Sequence, residues 1–122
     1  MTDPRKGLGR LGERLAAEAL QKAGLRILAQ NWRCSQGEID ILAREGDVVA
    51  VVEVKTRRGR QAGTPEQGVD EPKRRKLCAL AQAYIDATGW EGTVRIDVVA
   101  VELDSAGHLL RLSHWREAID CW

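Results

Sequence analysis

The 122-residue sequence predicts an α/β fold organised as a single domain over residues 1–122. Three observations carry that expectation. Gly7–Gly24 and Lys73–Thr88 space their leucines and alanines with a helical period. Val48–Thr56 and Val94–Leu103 are rich in valine, as buried strands are. Between the first helix and Val48, two shorter apolar runs are separated by segments with turn chemistry. Apolar residues make up 43% of the chain and charged residues 30%, a balance that belongs to a globular protein rather than a disordered one.

The first helix presents Leu8, Leu11, Leu15, Ala16, Ala19 and Leu20 along one stripe, and Gly24 suits its C-cap. Gly7-Leu-Gly9-Arg-Leu-Gly12 satisfies the dinucleotide-binding Gly-x-Gly-x-x-Gly pattern. That pattern works only after a strand, and only six residues precede Gly7, so a nucleotide site is not expected here. Leu25–Asn31 reads as a short strand and Trp32–Gly37 as a loop. Glu38–Ala43 alternates, with Ile39, Ile41 and Ala43 on one face and Glu38, Asp40 and Leu42 on the other. Arg44–Asp47 is a turn, so this strand and the next pair as an antiparallel hairpin, Ala43 near Val48 and Ile39 near Val52. Arg57–Pro65 is a loop. Thr64-Pro65 resembles a helix start, but Pro72 marks the more natural beginning of the second helix, which Gly89 ends. Val94–Leu103 is a strong strand, Leu109–Leu112 a further one, and a short helix is expected from His114 onward.

The central strand changes character along its length. Val49 and Val51 share a face with Glu53 and Lys55, so that face turns from aliphatic to ionic at its C-terminal end. Glu53 and Lys55 lie roughly 7 Å apart along the backbone. The hairpin brings Asp40 opposite the Val51–Glu53 region, so two carboxylates and a lysine converge at one end of the sheet. Such a set is either a structural ion-pair cluster or a site, and one lysine does not balance two carboxylates. Hard cations such as Mg²⁺ take one or two carboxylates, with waters and a substrate phosphate completing the shell. Asp40 and Glu53 are the expected ligands, the Val54 carbonyl a third, and Glu38 or Glu13 would complete the shell or bind a second ion. A cation held there polarises a scissile phosphate, and Lys55 orients water or stabilises developing negative charge.

Gly9-Arg-Leu-Gly12-Glu13, Asn31-Trp-Arg33, Gly37-Glu-Ile-Asp40 and Val52-Glu-Val-Lys55-Thr-Arg57, with Lys73 and Arg95-Ile-Asp97 downstream, resemble the YraN family of small bacterial proteins. Asp…Glu-x-Lys after a hairpin also resembles the wider PD-(D/E)xK, restriction-endonuclease-like superfamily, which includes Holliday junction resolvases. The resemblance covers roughly Gly9–Val99. It implies an αβββαβ core of mixed sheet flanked by helices, a Mg²⁺ or Mn²⁺ site from Asp40 and Glu53, a catalytic Lys55, and Glu13 reaching in from the first helix. Ile39 stands where the superfamily has proline before the aspartate; Gly-Glu-Ile-Asp suits the narrower family.

The net charge of +1 does not by itself point to nucleic acid, but its distribution does. From Lys55 to Lys76 there are eight basic residues against three acidic ones, a local +5. Arg57, Arg58 and Arg60 in the loop, and Lys73, Arg74 and Lys76 on the second helix, are the candidate phosphate contacts. The competing reading of the helical run is a solvated face. Arg95 and Asp97 read as a structural same-face pair, His108 and His114 as surface residues without metal spacing, and the four tryptophans as fillers of a core that has no phenylalanine. Trp32 alone is a candidate for base stacking. Cys34, Cys78 and Cys121 form no Cys-x-x-Cys, which argues against a disulfide framework and a zinc site and fits a cytoplasmic protein. No secretory signal and no membrane-spanning run of about eighteen apolar residues is read. The expectation is a Mg²⁺- or Mn²⁺-dependent DNA endonuclease, with branched DNA such as a junction or flap as a candidate substrate; junction cleavage would need two sites and hence a homodimer, for which the sequence shows no interface. The alternatives are a catalytically silent DNA- or RNA-binding module on the same scaffold, or a component of a larger assembly.

Overall fold

The computed structural model describes residues 4–59 and 69–121. Its elements run α1 (Pro4–Lys22), β1 (Arg26–Cys34), β2 (Gly37–Glu45), β3 (Val48–Arg58), α2 (Glu71–Thr88), β4 (Thr93–Leu103) and β5 (Leu109–Ile119). This is the expected mixed α/β fold, an αβββαβ core extended by one strand. The five strands form one sheet in sequence order, β1-β2-β3-β4-β5. All neighbours are antiparallel except β3 and β4, which pair in parallel from Val48↔Thr93 to Arg58↔Leu103. A parallel pair needs a crossover connection, and α2 supplies it.

Each sheet face is covered by one helix. Val49, Val51, Ile96 and Val98 pack with Leu77, Leu80, Ala81 and Tyr84 of α2. Their neighbours Ala50, Val52, Val99 and Val101 pack with Ala16, Ala17 and Leu20 of α1. The apolar run Val48–Val52 of β3 is therefore that of a strand buried on both faces, with alternate residues serving opposite cores. Both helices end where their sequences call for it. Leu25 N–H and Gly24 N–H return to Leu20 O and Gln21 O, both at 3.0 Å, with Gly24 at φ 96. Asp70 caps α2 by accepting Lys73 N–H at 3.0 Å, Pro72 occupies the first turn, and Gly89 closes the helix at φ 69.

Several expectations are corrected. The segment from His114 is not a helix but the continuation of β5, because Trp115, His114 and Ser113 pair with Val98, Val99 and Ala100. Trp32–Cys34 belong to β1, which turns into β2 through Ser35 and Gln36 alone. The β2–β3 turn is likewise two residues rather than four, so the register lies two positions from the expected one, with Ala43↔Ala50 and Ile41↔Val52. A shift of two preserves which face each side chain takes. Ile39 does not share a face with Ile41 and Ala43: it joins the α2-side core with Leu42, while those two join the α1-side core. Strand alternation is thus broken at Asp40. Cys78 and Cys121 form a disulfide with Cα atoms 5.6 Å apart, which leaves Cys34 as the free cysteine and overturns the reading of an all-thiol chain. Among the described residues no helix is long and apolar enough to cross a membrane. Arg60, Thr64 and Pro65 lie outside the described residues.

Candidate functional site

The break in β2 creates the site. Where a regular ladder would continue past Ile41↔Val52, the Asp40 side chain takes over, its Oδ2 accepting the Val54 N–H at 2.8 Å. A carboxylate thus replaces a backbone carbonyl beside the strand that carries Glu53 and Lys55. Burial raises the Asp40 pKa from the ordinary 3.8 to about 7. The negative charges of Glu53 and Glu13 push the same way; the Val54 N–H and the Lys73 ammonium oppose them and lose. Those influences are also proximity statements. Asp40, Glu53, Glu13 and Lys73 share one neighbourhood, drawn from β2, β3, α1 and α2.

Glycine lets α1 come close enough to contribute. A Cβ on buried Gly12 would overlap Thr56 Oγ1 and stand 2.8 Å from Thr56 Cβ and 2.9 Å from its Cγ2. Only a residue without a side chain permits α1 to lie this near the end of β3, and the next residue is Glu13. Thus Gly12 has a steric role, and the dinucleotide pattern it completes has none.

Lys73, expected as a phosphate contact, pairs with a carboxylate of the site while 38% of its side chain stays exposed. Its Nζ lies 3.0 Å from Glu53 Oε1. Burial lowers the Lys55 pKa, helped by the like charges of Arg57 and Lys73 and resisted by Glu53 and Asp70. The site therefore holds three carboxylates and two ammonium groups at the C-terminal end of β3. Of the remaining basic candidates, Arg57 is half-buried beside Lys55, Arg58 is exposed at the strand end, Lys76 is exposed with its stem against Gly37, and Arg74 sits 3.9 Å from Glu71. Among the described residues no three His, Cys, Asp or Glu side chains close into a metal cage of their own.

Glu38 has partners of its own. Its carboxylate is held by Asn31, whose Nδ2 donates to Glu38 Oε1 at 2.6 Å and to Glu13 Oε2 at 3.0 Å, with Arg33 at 3.5 Å. Asn31 is the residue that reading for charge overlooks, because it carries none. The available signal was an asparagine, a residue that tolerates left-handed backbone, in the middle of a strand. Val54 participates through its N–H. Trp32 is not poised to stack on bases: it meets Tyr84 edge-on, centroids 5.8 Å apart, against the α2-side core.

A second polar cluster occupies β4 and β5. Asp97 is completely buried and accepts from Arg95 Nε at 3.0 Å and from Glu117 N–H at 3.1 Å, with His114 Nε2 at 2.8 Å. Burial alone would raise its pKa, but these bonds outweigh it and hold the carboxyl below its usual range. The register irregularity between Ile96 and Val98 leaves Glu117 at φ 49, with its N–H aimed at Asp97. Arg95 reaches on to Glu45, which Arg116 also engages. The expected Arg95–Asp97 pair is present, and His114 is half-buried in it rather than on the surface. Every bond to Asp97 is made, although Arg95 Nη2 is buried without a partner, and the network ties β5 to β4.

Residues 12–101 match the model of the family described as "Uncharacterised protein family UPF0102". A UPF0102 protein of Pelotomaculum thermopropionicum is 41% identical over 119 residues, covering 97% of this chain and 99% of the relative. One from Roseiflexus castenholzii is 40% identical over 126 residues and covers 98% of each, and one from Symbiobacterium thermophilum is 48% identical over 103 residues, 84% of this chain and 87% of the relative. The matched span begins at Gly12 and takes in Glu13, Asn31, Asp40, Glu53, Lys55 and Asp97. The chain belongs to the UPF0102 family.

Proposed function

We propose that this chain is a metal-dependent nuclease built on the PD-(D/E)xK plan, hydrolysing phosphodiester bonds in DNA with Mg²⁺ or Mn²⁺. One observation carries the reading: a half-buried Asp40, already hydrogen-bonded to β3, lies within electrostatic reach of Glu53 and Glu13 at the end of a strand that also carries Lys55. Asp40 and Glu53 are the residues that would hold the ion, with Glu13 beside them. All-oxygen donors suit a hard cation, and two carboxylates leave positions for water and a phosphate. Burial first, and the neighbouring Glu53 and Glu13 charges second, raise Asp40; a divalent ion would offset both, so the donor set fits such an ion. When bound, the ion supplies Lewis-acid polarisation of the scissile phosphate.

The chain's own residues do the rest. Lys55, its ammonium less strongly protonated than usual, faces the same mouth and donates hydrogen bonds to a phosphate oxygen or to the attacking water. Arg57 and Arg58 continue β3 outward and attract the nucleic acid backbone. These contacts recognise phosphate rather than base sequence.

One observation favours a second reading. The Lys73 ammonium already neutralises Glu53, as a built-in cation would in a scaffold that binds DNA without cutting it. Calorimetric titration of Mn²⁺ separates the two. Under the nuclease reading the wild type binds Mn²⁺ and Asp40→Asn and Glu53→Gln do not. Absence of Mn²⁺ binding by a folded wild type would refute it and leave the silent module.

A further inference from the structure

The most unusual backbone of the β1–β2 ribbon sits opposite its most consequential side chain. Asn31 lies between the pairs Gln30↔Ile41 and Trp32↔Ile39, and so faces the Asp40 position. Its φ of 53 is left-handed, where strand residues are extended. The side chains around it register the consequence. Ile41 packs under α1, whereas Trp32 and Ile39 pack under α2. The ribbon changes face at the Asn31/Asp40 step.

What that irregularity achieves is the placement of an amide. Asn31 Nδ2 bears two hydrogens and no charge, and it meets two acceptors, Glu13 Oε2 at 3.0 Å and Glu38 Oε1 at 2.6 Å. A lysine or arginine in the same place would also bridge the two carboxylates, but it would cancel charge and compete with an incoming cation. An amide holds them without adding a charge beside Glu13; Glu38 already has Arg33 at 3.5 Å. Glu13 comes from α1 and Glu38 from β2, so the bridge also ties the helix to the sheet beside Asp40.

We infer that Asn31 is a positioning residue, which fixes the Glu13 carboxylate beside the Asp40–Glu53 pair so that it adds its negative charge to the cation site. The inference rests on the metal-site reading above. It assigns to an uncharged, exposed residue a part in ion affinity, and it explains why the ribbon adopts a left-handed residue there instead of regular pairing.

The test separates the backbone from the amide. Asn31→Gly keeps the left-handed conformation at no steric cost and deletes the side chain. Mn²⁺ affinity is measured by electron paramagnetic resonance of the free ion, with melting temperature and circular dichroism recorded alongside. Losing an outer-shell partner of this kind weakens metal binding by roughly tenfold. The expected result is a loss of that size in Asn31→Gly with an unchanged fold, a comparable loss in Glu13→Gln, and no further loss when the two are combined. Wild-type affinity in Asn31→Gly would overturn the inference, as would losses that simply multiply in the double variant. If the wild type binds Mn²⁺ and Asp40→Asn does not, such a result sinks the role of Asn31 alone. If the wild type binds no Mn²⁺, the metal reading falls and this inference with it.

Discussion

Asp40→Asn should stabilise the metal-free protein above neutral pH. In the folded chain Asp40 titrates at about 7 against an ordinary 3.8, so the folded state holds its proton more tightly than the unfolded one. A pKa raised on folding contributes stability that is fully present below 3.8 and is lost progressively until the pH has passed about 7. A shift of about three units corresponds to at most about 4 kcal/mol lost at pH 8, since each unit is worth about 1.4 kcal/mol. Asparagine keeps the carbonyl oxygen that accepts the Val54 N–H and removes the charge. Urea unfolding in chelator should therefore show Asp40→Asn near wild-type stability at pH 4 and ahead by several kcal/mol at pH 8. Saturating Mg²⁺ should close part of that gap, because an ion at 100 times its dissociation constant adds about 2.7 kcal/mol to the wild type alone. An Asp40→Asn protein less stable than wild type at pH 8, or a gap that does not change with pH, would refute the placement of Asp40 among buried anions.

Three other substitutions probe the supports of the site. Gly12→Ala places a methyl group against Thr56, whose own Cβ would be only 2.8 Å away, so rotating Thr56 cannot make room. It should cost about 1–3 kcal/mol in urea unfolding, and Thr56→Gly in the same chain should recover most of that; a neutral Gly12→Ala would mean α1 does not pack here. Replacing Arg57 and Arg58 together by Glu should weaken DNA binding and lower the slope of log affinity against log salt by about two, read by fluorescence anisotropy at several salt concentrations. An unchanged slope would mean DNA does not touch the end of β3. Cys78→Ser should lower the melting temperature by roughly 8–15 °C, from the 2–4 kcal/mol typical of a disulfide in a chain of this length. Equal melting of variant and wild type under oxidising conditions would show that the bond does not form.

The sequence shows the elements clearly and the local breaks poorly. Helical periodicity located α1 and α2, the capping residues Gly24, Pro72 and Gly89 located their ends, and the valines of β3 and β4 marked strands buried twice over. The pairing of Asp40 with the end of β3 was visible because a hairpin leaves little choice of partner. What escaped notice depends on departures from regularity. Strand alternation predicts that Ile39 and Ile41 share a face, and only the coupled irregularity at Asn31 and Asp40 undoes it. β5 reads as a broken element because Arg116, Glu117 and Ala118 bulge around Asp97, a long-range hydrogen-bonding partner that no local pattern reveals. Lys73 reads as one member of a basic run, yet its contact is Glu53, twenty residues away and across a crossover. Cys78 and Cys121 lie 43 positions apart, and spacing alone does not pair them.

The most direct test of the nuclease account is cleavage itself. Pure protein is incubated with Mg²⁺ or Mn²⁺ and labelled duplex, flap, single-stranded and four-way-junction DNAs, beside Lys55→Ala. The account expects cleavage that requires the metal, disappears in chelator and is lost in Lys55→Ala while that variant still binds DNA. Binding without cleavage on every substrate, or cleavage that survives in Lys55→Ala, would contradict it.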